Sequence, residues 1–127
     1  YTRLVKRFAI ERQPEFTVYG DVTNLIDAMW IEDAVQGLLE IGLSSADDTG
    51  AVRCVDFCRG DPMTLEQLVT RAGRILLGVD VTVNREGVAH ERNLFYASPQ
   101  ELESTLGVKA HTLLEDGLRK FESHLRL

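Results

Sequence analysis

Residues 16–35, FTVYGDVTNLIDAMWIEDAV, decide how this chain reads. Phe16 to Tyr19 alternates as a short strand does, and Gly20-Asp21 supplies a turn. A second apolar segment follows. Ile31-Glu32-Asp33 then opens a helix whose first-turn acids suit the positive end of the helix dipole. Between Ile31 and Leu43 the pattern is amphipathic. Ile31, Ala34, Val35, Leu38 and Leu39 share one stripe, while Glu32, Asp33, Gln36 and Glu40 face away.

Outward from this stretch, helices and short strands intermix. Thr2 to Arg12 reads as a helix with Leu4, Val5, Phe8 and Ala9 on one face, ended by Pro14. Val52 to Phe57 is apolar and β-branched enough for a strand, and Arg59-Gly60-Asp61-Pro62 is a turn. Thr64 and Gln67 have the spacing of a capping box that starts a helix ending near Gly78. Val79 to Val83 is the next strand, Asn84 to Asn93 is polar and irregular, and Leu94 to Ala97 is a short strand. Ser98-Pro99-Gln100-Glu101 starts a helix ending at Gly107, and Thr112 with Glu115 makes another capping box before the last helix. The class is mixed, α+β, with helices packed on short strands.

The 127 residues allow one domain with one modest core, spanning residues 1–127. A hydrophobic share of 44% and a charged share of 27% are ordinary for a globular protein. The net charge of −6 argues against nucleic acid as a partner. No apolar run approaches the roughly 20 residues needed to span a bilayer, and no signal peptide opens the chain, so a cytoplasmic location is expected. Cys54 and Cys58 do not make a disulfide framework, and His90, His111 and His124 lack the spacing of a metal site. A first residue of tyrosine reads as the start of a piece of a longer polypeptide.

The chemistry of a catalyst is missing from the local sequence. No glycine-rich turn suits a dinucleotide pyrophosphate. A tyrosine acid/base activated by a lysine four residues on is also absent, since Tyr1, Tyr19 and Tyr96 have Val5, Thr23 and Gln100 at that offset. No catalytic residue and no metal ligand is therefore assigned.

The ordered motifs resemble the extended short-chain dehydrogenase/reductases, the NAD-dependent nucleotide-sugar epimerases and dehydratases. Tyr19-Gly20-Asp21, Asp27 and Trp30-Ile31-Glu32-Asp33 match the first motif of that family. Val55-Asp56-Phe57 with Gly60 to Thr64 matches the second, with Asp56 where asparagine is usual. Leu106-Gly107 and Thr112 to Leu118 are similar to the last. The resemblance implies that the chain is the C-terminal substrate-binding part of such an enzyme, with the Rossmann domain absent. It implies NAD in the parent enzyme and none bound by this fragment alone. It also implies a nucleotide-sugar or similar small molecule as substrate, and a homo-oligomer. The parent chain is then an enzyme and this fragment alone is not. Substrate contacts implied by the resemblance are Arg92, Arg85, Tyr19 and Asn24.

Departures keep a second reading open, a non-catalytic binding or regulatory domain derived from the same fold. Ile26 falls where the family places an arginine, Val22 replaces a glycine, and Ser98 replaces an aspartate. Tyr19 and Trp30 read first as packing aromatics, and Asp27 and Asp33 as helix-start charges with structural partners. Cut from its Rossmann partner, the chain is expected to expose apolar surface and to self-associate.

Overall fold

The computed structural model describes residues 1–44, 54, 56–87 and 96–126. Its elements follow the order α1 (Thr2–Val5), a π-helical turn (Lys6–Ile10), β1 (Glu15–Tyr19), β2 (Leu25–Ile26), α2 (Ile31–Leu43), β3 (Met63–Thr64), α3 (Leu65–Leu77), β4 (Thr82–Glu86), α4 (Gln100–Leu106) and α5 (Leu114–Leu125). The mixed class expected from the sequence is what is found.

The first helix and its π turn bury one face, with Leu4, Val5, Phe8 and Ala9 all 5% exposed or less. The segment stops at Arg12, which adopts a left-handed φ of 55°. That turn lets the Arg12 guanidinium donate to the carbonyls of Leu76 and Leu77 at 3.1 and 3.4 Å. These are orphan carbonyls at the end of α3, so a cation there answers both their hydrogen-bonding need and the helix dipole. The helix therefore ends earlier than Pro14, whose carbonyl instead accepts from Thr82 at the head of β4.

Strands β1 and β4 pair in parallel from Glu15↔Thr82 to Tyr19↔Glu86. This corrects the sequence reading that made Asn84 onward irregular. Asn84, Arg85 and Glu86 are polar because one side of this two-stranded ribbon faces water, and their backbone is held by β1. The short strands β2 and β3 pair antiparallel, Leu25↔Thr64 and Ile26↔Met63. The expected strand at 52–57 lies partly outside the described residues, and Cys54, Asp56 and Phe57 take no strand conformation. Of the expected strand at 94–97, Tyr96 and Ala97 are likewise irregular, and 94–95 lie outside the described residues.

Helix α3 is the central element. Its capping box is formed: Thr64 Oγ1 accepts from Gln67 N at 3.1 Å and Gln67 Oε1 accepts from Thr64 N at 2.8 Å. Gly78 ends it in the left-handed conformation. Val69, Ala72 and Leu76 meet Val5, Phe8, Val18 and Leu118 in the core. Removing the cap should be felt throughout, and Thr64→Ala is expected to cost about 1 kcal/mol. Urea denaturation followed by circular dichroism measures it, and an unchanged midpoint would show that the cap carries no stability.

Helix α2 stands apart from this core, to which it contributes no described residue. Its inner face is narrow. Gly37 is buried, and a Cβ there would strike the Phe57 ring. Of the stripe that the sequence groups together, Ile31, Val35, Leu38 and Leu39 point outward at 51–65% exposure, with Leu43 beside them at 84%, while Ala34 is half-buried on the inner side. The reason is geometric. Ala34, Gly37 and Ile41 lie about a third of a turn away from those exposed residues, and Gly37 on that side lets the Phe57 ring approach.

Candidate functional site

Two clusters of sequence-flagged residues form distinct places on the molecule. The first surrounds the turn between β1 and β2. Tyr19 ends β1 at 62% exposure, and the Arg3 guanidinium lies 5.2 Å from its ring centre and 5.3 Å from that of Phe16. In the turn, Asp21 Oδ1 accepts from the Thr23 amide and hydroxyl at 2.8 and 2.6 Å. The Asn24 carbonyl accepts from Leu65 N at 3.0 Å, tying the turn to the start of α3. Arg85, on β4, sits over the same helix start, its Nη2 reaching both Glu66 carboxylate oxygens at 2.9 and 3.0 Å. Asn24 and Arg85 thus meet at the first turn of α3, whereas Tyr19 is paired with Glu86 in the ladder and contacts Arg3. Arg92, the fourth expected contact, lies outside the described residues.

The second cluster is the junction at the start of α2. Asp33 accepts from Thr112 N at 2.8 Å and from Thr112 Oγ1 at 3.0 Å. The Thr112 carbonyl in turn accepts from Arg59 Nη1 at 2.6 Å. Asp27 accepts from Gly60 N at 2.8 Å and Asp61 N at 3.4 Å. Both acids are therefore structural clamps, as the plainer of their two sequence readings has it. Here the structure corrects the expected cap of α5: the helix starts at Leu114 with Leu113 at its N-cap and no side-chain cap, and Thr112, one position outside, donates its amide and hydroxyl to Asp33. Arg59 is the junction residue that sequence reasoning missed, and its position in a Gly-Asp-Pro turn gave no signal.

Beside this junction lies a mainly apolar groove of about 510 Å³, bounded by Tyr1, Met29, Trp30, Leu113, Phe121 and His124. Lys120 Nζ stands 5.5 Å from the Trp30 ring centre and 3.3 Å from Glu32. Trp30 Nε1 is buried without a well-formed hydrogen bond. Its N–H dipole is nonetheless the largest influence holding the Glu32 carboxyl below its ordinary value, followed by Lys120. A depressed folded-state value favours the fold above the ordinary carboxylate range, and the benefit is lost as pH falls through that lowered value. Lys120→Met is accordingly expected to move the Glu32 titration upward. Carboxyl carbon NMR reads it, and an unmoved titration would mean that Lys120 exerts no field there.

The remaining chemistry is quiet. Burial, with Asp27 and Asp56 nearby, pushes the Cys58 thiol up, away from the thiolate a nucleophile needs. Burial and Asp27 likewise raise the Tyr1 phenol. Among the described residues, no group of His, Cys, Asp and Glu could hold a metal ion, and no helix is long and apolar enough to cross a membrane. Strand β1 runs into a turn at Gly20 rather than into a helix.

No family model and no curated protein sequence matches the chain. Solved structures do. UDP-glucuronic acid 4-epimerase from Bacillus cereus, in complex with UDP-glucuronic acid and NAD, superposes with a TM-score of 0.75 at 20% identity over 98% of this chain and 38% of its own. RMD from Pseudomonas aeruginosa, complexed with NADPH, gives 0.73 at 18% identity over 98% of this chain and 41% of its own. The NAD-dependent NDP-hexosamine 5,6-dehydratase TunA, of tunicamycin biosynthesis, gives 0.68 at 20% identity over 98% and 39%. The chain has the fold of one part of these enzymes and spans about two-fifths of their length.

Proposed function

We propose that this chain is the substrate-binding portion of an NAD-dependent nucleotide-sugar epimerase/dehydratase-like enzyme. It seats an activated sugar over NAD, which is held by a Rossmann domain in another part of a longer polypeptide. The observation that supports this most is the superposition of 98% of the chain on two-fifths of such an enzyme. The NAD supplies hydride acceptance at a sugar carbon; the residues of this chain bind and orient the sugar nucleotide. Tyr19, Asn24 and Arg85, with Arg92, are the proposed contacts. Arg85 reaches a phosphate only by leaving Glu66. At 60% and 42% side-chain exposure, that ion pair is worth little and is readily exchanged.

A second reading is favoured by Ile26. It is half-buried in β2 opposite Met63, an apolar packing position where a guanidinium fork would not fit. On that reading the domain binds a ligand without turning it over. Calorimetric titration of the intact polypeptide with UDP-, GDP- and TDP-sugars, with NMR of the sugar after incubation with NAD, separates the two. Micromolar binding with a changed sugar supports the enzyme, binding without change supports the second reading, and no binding of any sugar nucleotide refutes both.

A further inference from the structure

We infer that Arg3 holds an anionic group of the ligand, and that this group is a phosphate of the sugar nucleotide lying beside Tyr19. The inference deepens the functional reading and rests on it.

Three observations carry it. The Arg3 guanidinium lies over two rings at once, 5.3 Å from the centre of Phe16 and 5.2 Å from that of Tyr19. Among the described residues its guanidinium makes no hydrogen bond and no ion pair. Every other described arginine donates to a carboxylate or a carbonyl oxygen. Carboxylates are not scarce, since the chain has 20 acidic residues against 14 lysines and arginines. On the same helical segment, Lys6 reaches Glu11, and Arg7 reaches Glu11 and Glu15. Finally, Arg3 is exposed and Tyr19 is 62% exposed, so cation and ring present one open surface.

The chemistry of that surface selects the ligand. A guanidinium is weakly hydrated and carries its N–H donors in one plane, a fork that matches phosphate oxygens. The ring contacts restrain the side chain before any ligand arrives, which lowers the ordering cost of binding. Arg85, opposite Val18 in the ladder, must first leave Glu66. Arg3 has no such partner to leave, so the phosphate goes to it. An aromatic ring beside the cation suits a ligand with a flat base near its phosphates, because bases stack on such rings. A nucleoside diphosphate has both parts, and inorganic phosphate has only one.

Calorimetric titration of the intact polypeptide with UDP, GDP and TDP, at low and high salt, tests this. Arg3→Gln is expected to weaken the diphosphate that binds by about 10- to 100-fold, the range for hydrogen bonds to a charged group. It should also flatten the salt dependence of the affinity, since one charge contact is gone. Arg3→Lys, which keeps the charge without the fork, should fall between the two. Arg74→Gln, whose parent arginine is paired with Asp80 past the far end of α3, should bind as the parent does. Arg3 is exposed, so circular dichroism of its variants should match the parent. If the parent binds a nucleoside diphosphate and Arg3→Gln binds it equally, the inference is overturned and the functional reading survives. A loss with an unchanged salt dependence overturns it as well, because Arg3 would then act only by holding Tyr19. If the parent binds none of the three, the functional reading fails and the inference falls with it.

Discussion

Phe8→Ala is expected to cost about 3–5 kcal/mol, the range for deleting a fully buried phenylalanine. Phe8 is 0% exposed and its ring centre lies 5.8 Å from that of Phe16. It stands among Val5, Val69, Ala72 and Leu118, so its loss opens a cavity where the first helical segment, α3 and α5 meet. A domain of this size holds about 5–15 kcal/mol in all, so the variant should be unfolded or nearly so at 37 °C. Leu38→Lys provides the contrast. It alters an apolar residue of comparable size, yet Leu38 is 65% exposed and lysine is as good a helix former. In the short chain its effect should stay within about 0.5 kcal/mol. Chemical denaturation of both variants checks the pair. Equal losses would place α2 inside the core and contradict the division described above.

Asp33→Ala is the second large effect. It removes a charge-assisted acceptor from both the amide and the hydroxyl of Thr112. A partly buried N–H is then left without its partner, and the expected loss is about 2–3 kcal/mol. The consequence is local as well as global. The Asp33–Thr112 link is the short connection between α2 and the approach to α5, and the Arg59 bond to the Thr112 carbonyl depends on the same loop position. Amide exchange at 112–114 should therefore rise with the loss of stability. Asp33→Asn, which keeps one acceptor oxygen, should recover part of it. A variant as stable as the parent would show that Asp33 is free to serve a ligand instead.

These contrasts explain what could be read from the residues alone. Three helix ends are legible from local signals, since Thr64 with Gln67, Gly78 and Gly107 each act within one turn; the Ser98 cap is not formed, because Pro99 stands at the N-cap of α4 and the helix begins at Gln100. Thr112 reads as a cap in the sequence because the partner that holds its amide and hydroxyl outside the helix, Asp33, lies 79 positions away. The polar strand Asn84 to Glu86 was missed for a similar reason, since its order comes from β1 and not from its own side chains. The outward turn of the α2 stripe could not be read from its periodicity. Periodicity shows that a helix has an apolar face, but it does not show whether the covering element belongs to the same domain. At the candidate site, Asn24 and Arg85 meet because the turn after β1 and strand β4 both reach the start of α3. No spacing in the sequence announces that arrangement.

The proposal that this fold is one part of a longer NAD enzyme is tested most directly by NAD titration. The 127-residue chain should show no saturable heat with NAD. The polypeptide extended upstream should bind one NAD per chain and carry a glycine-rich strand-turn-helix and a tyrosine-lysine pair in the added segment. An extended polypeptide that lacks both features and binds no NAD would contradict the account.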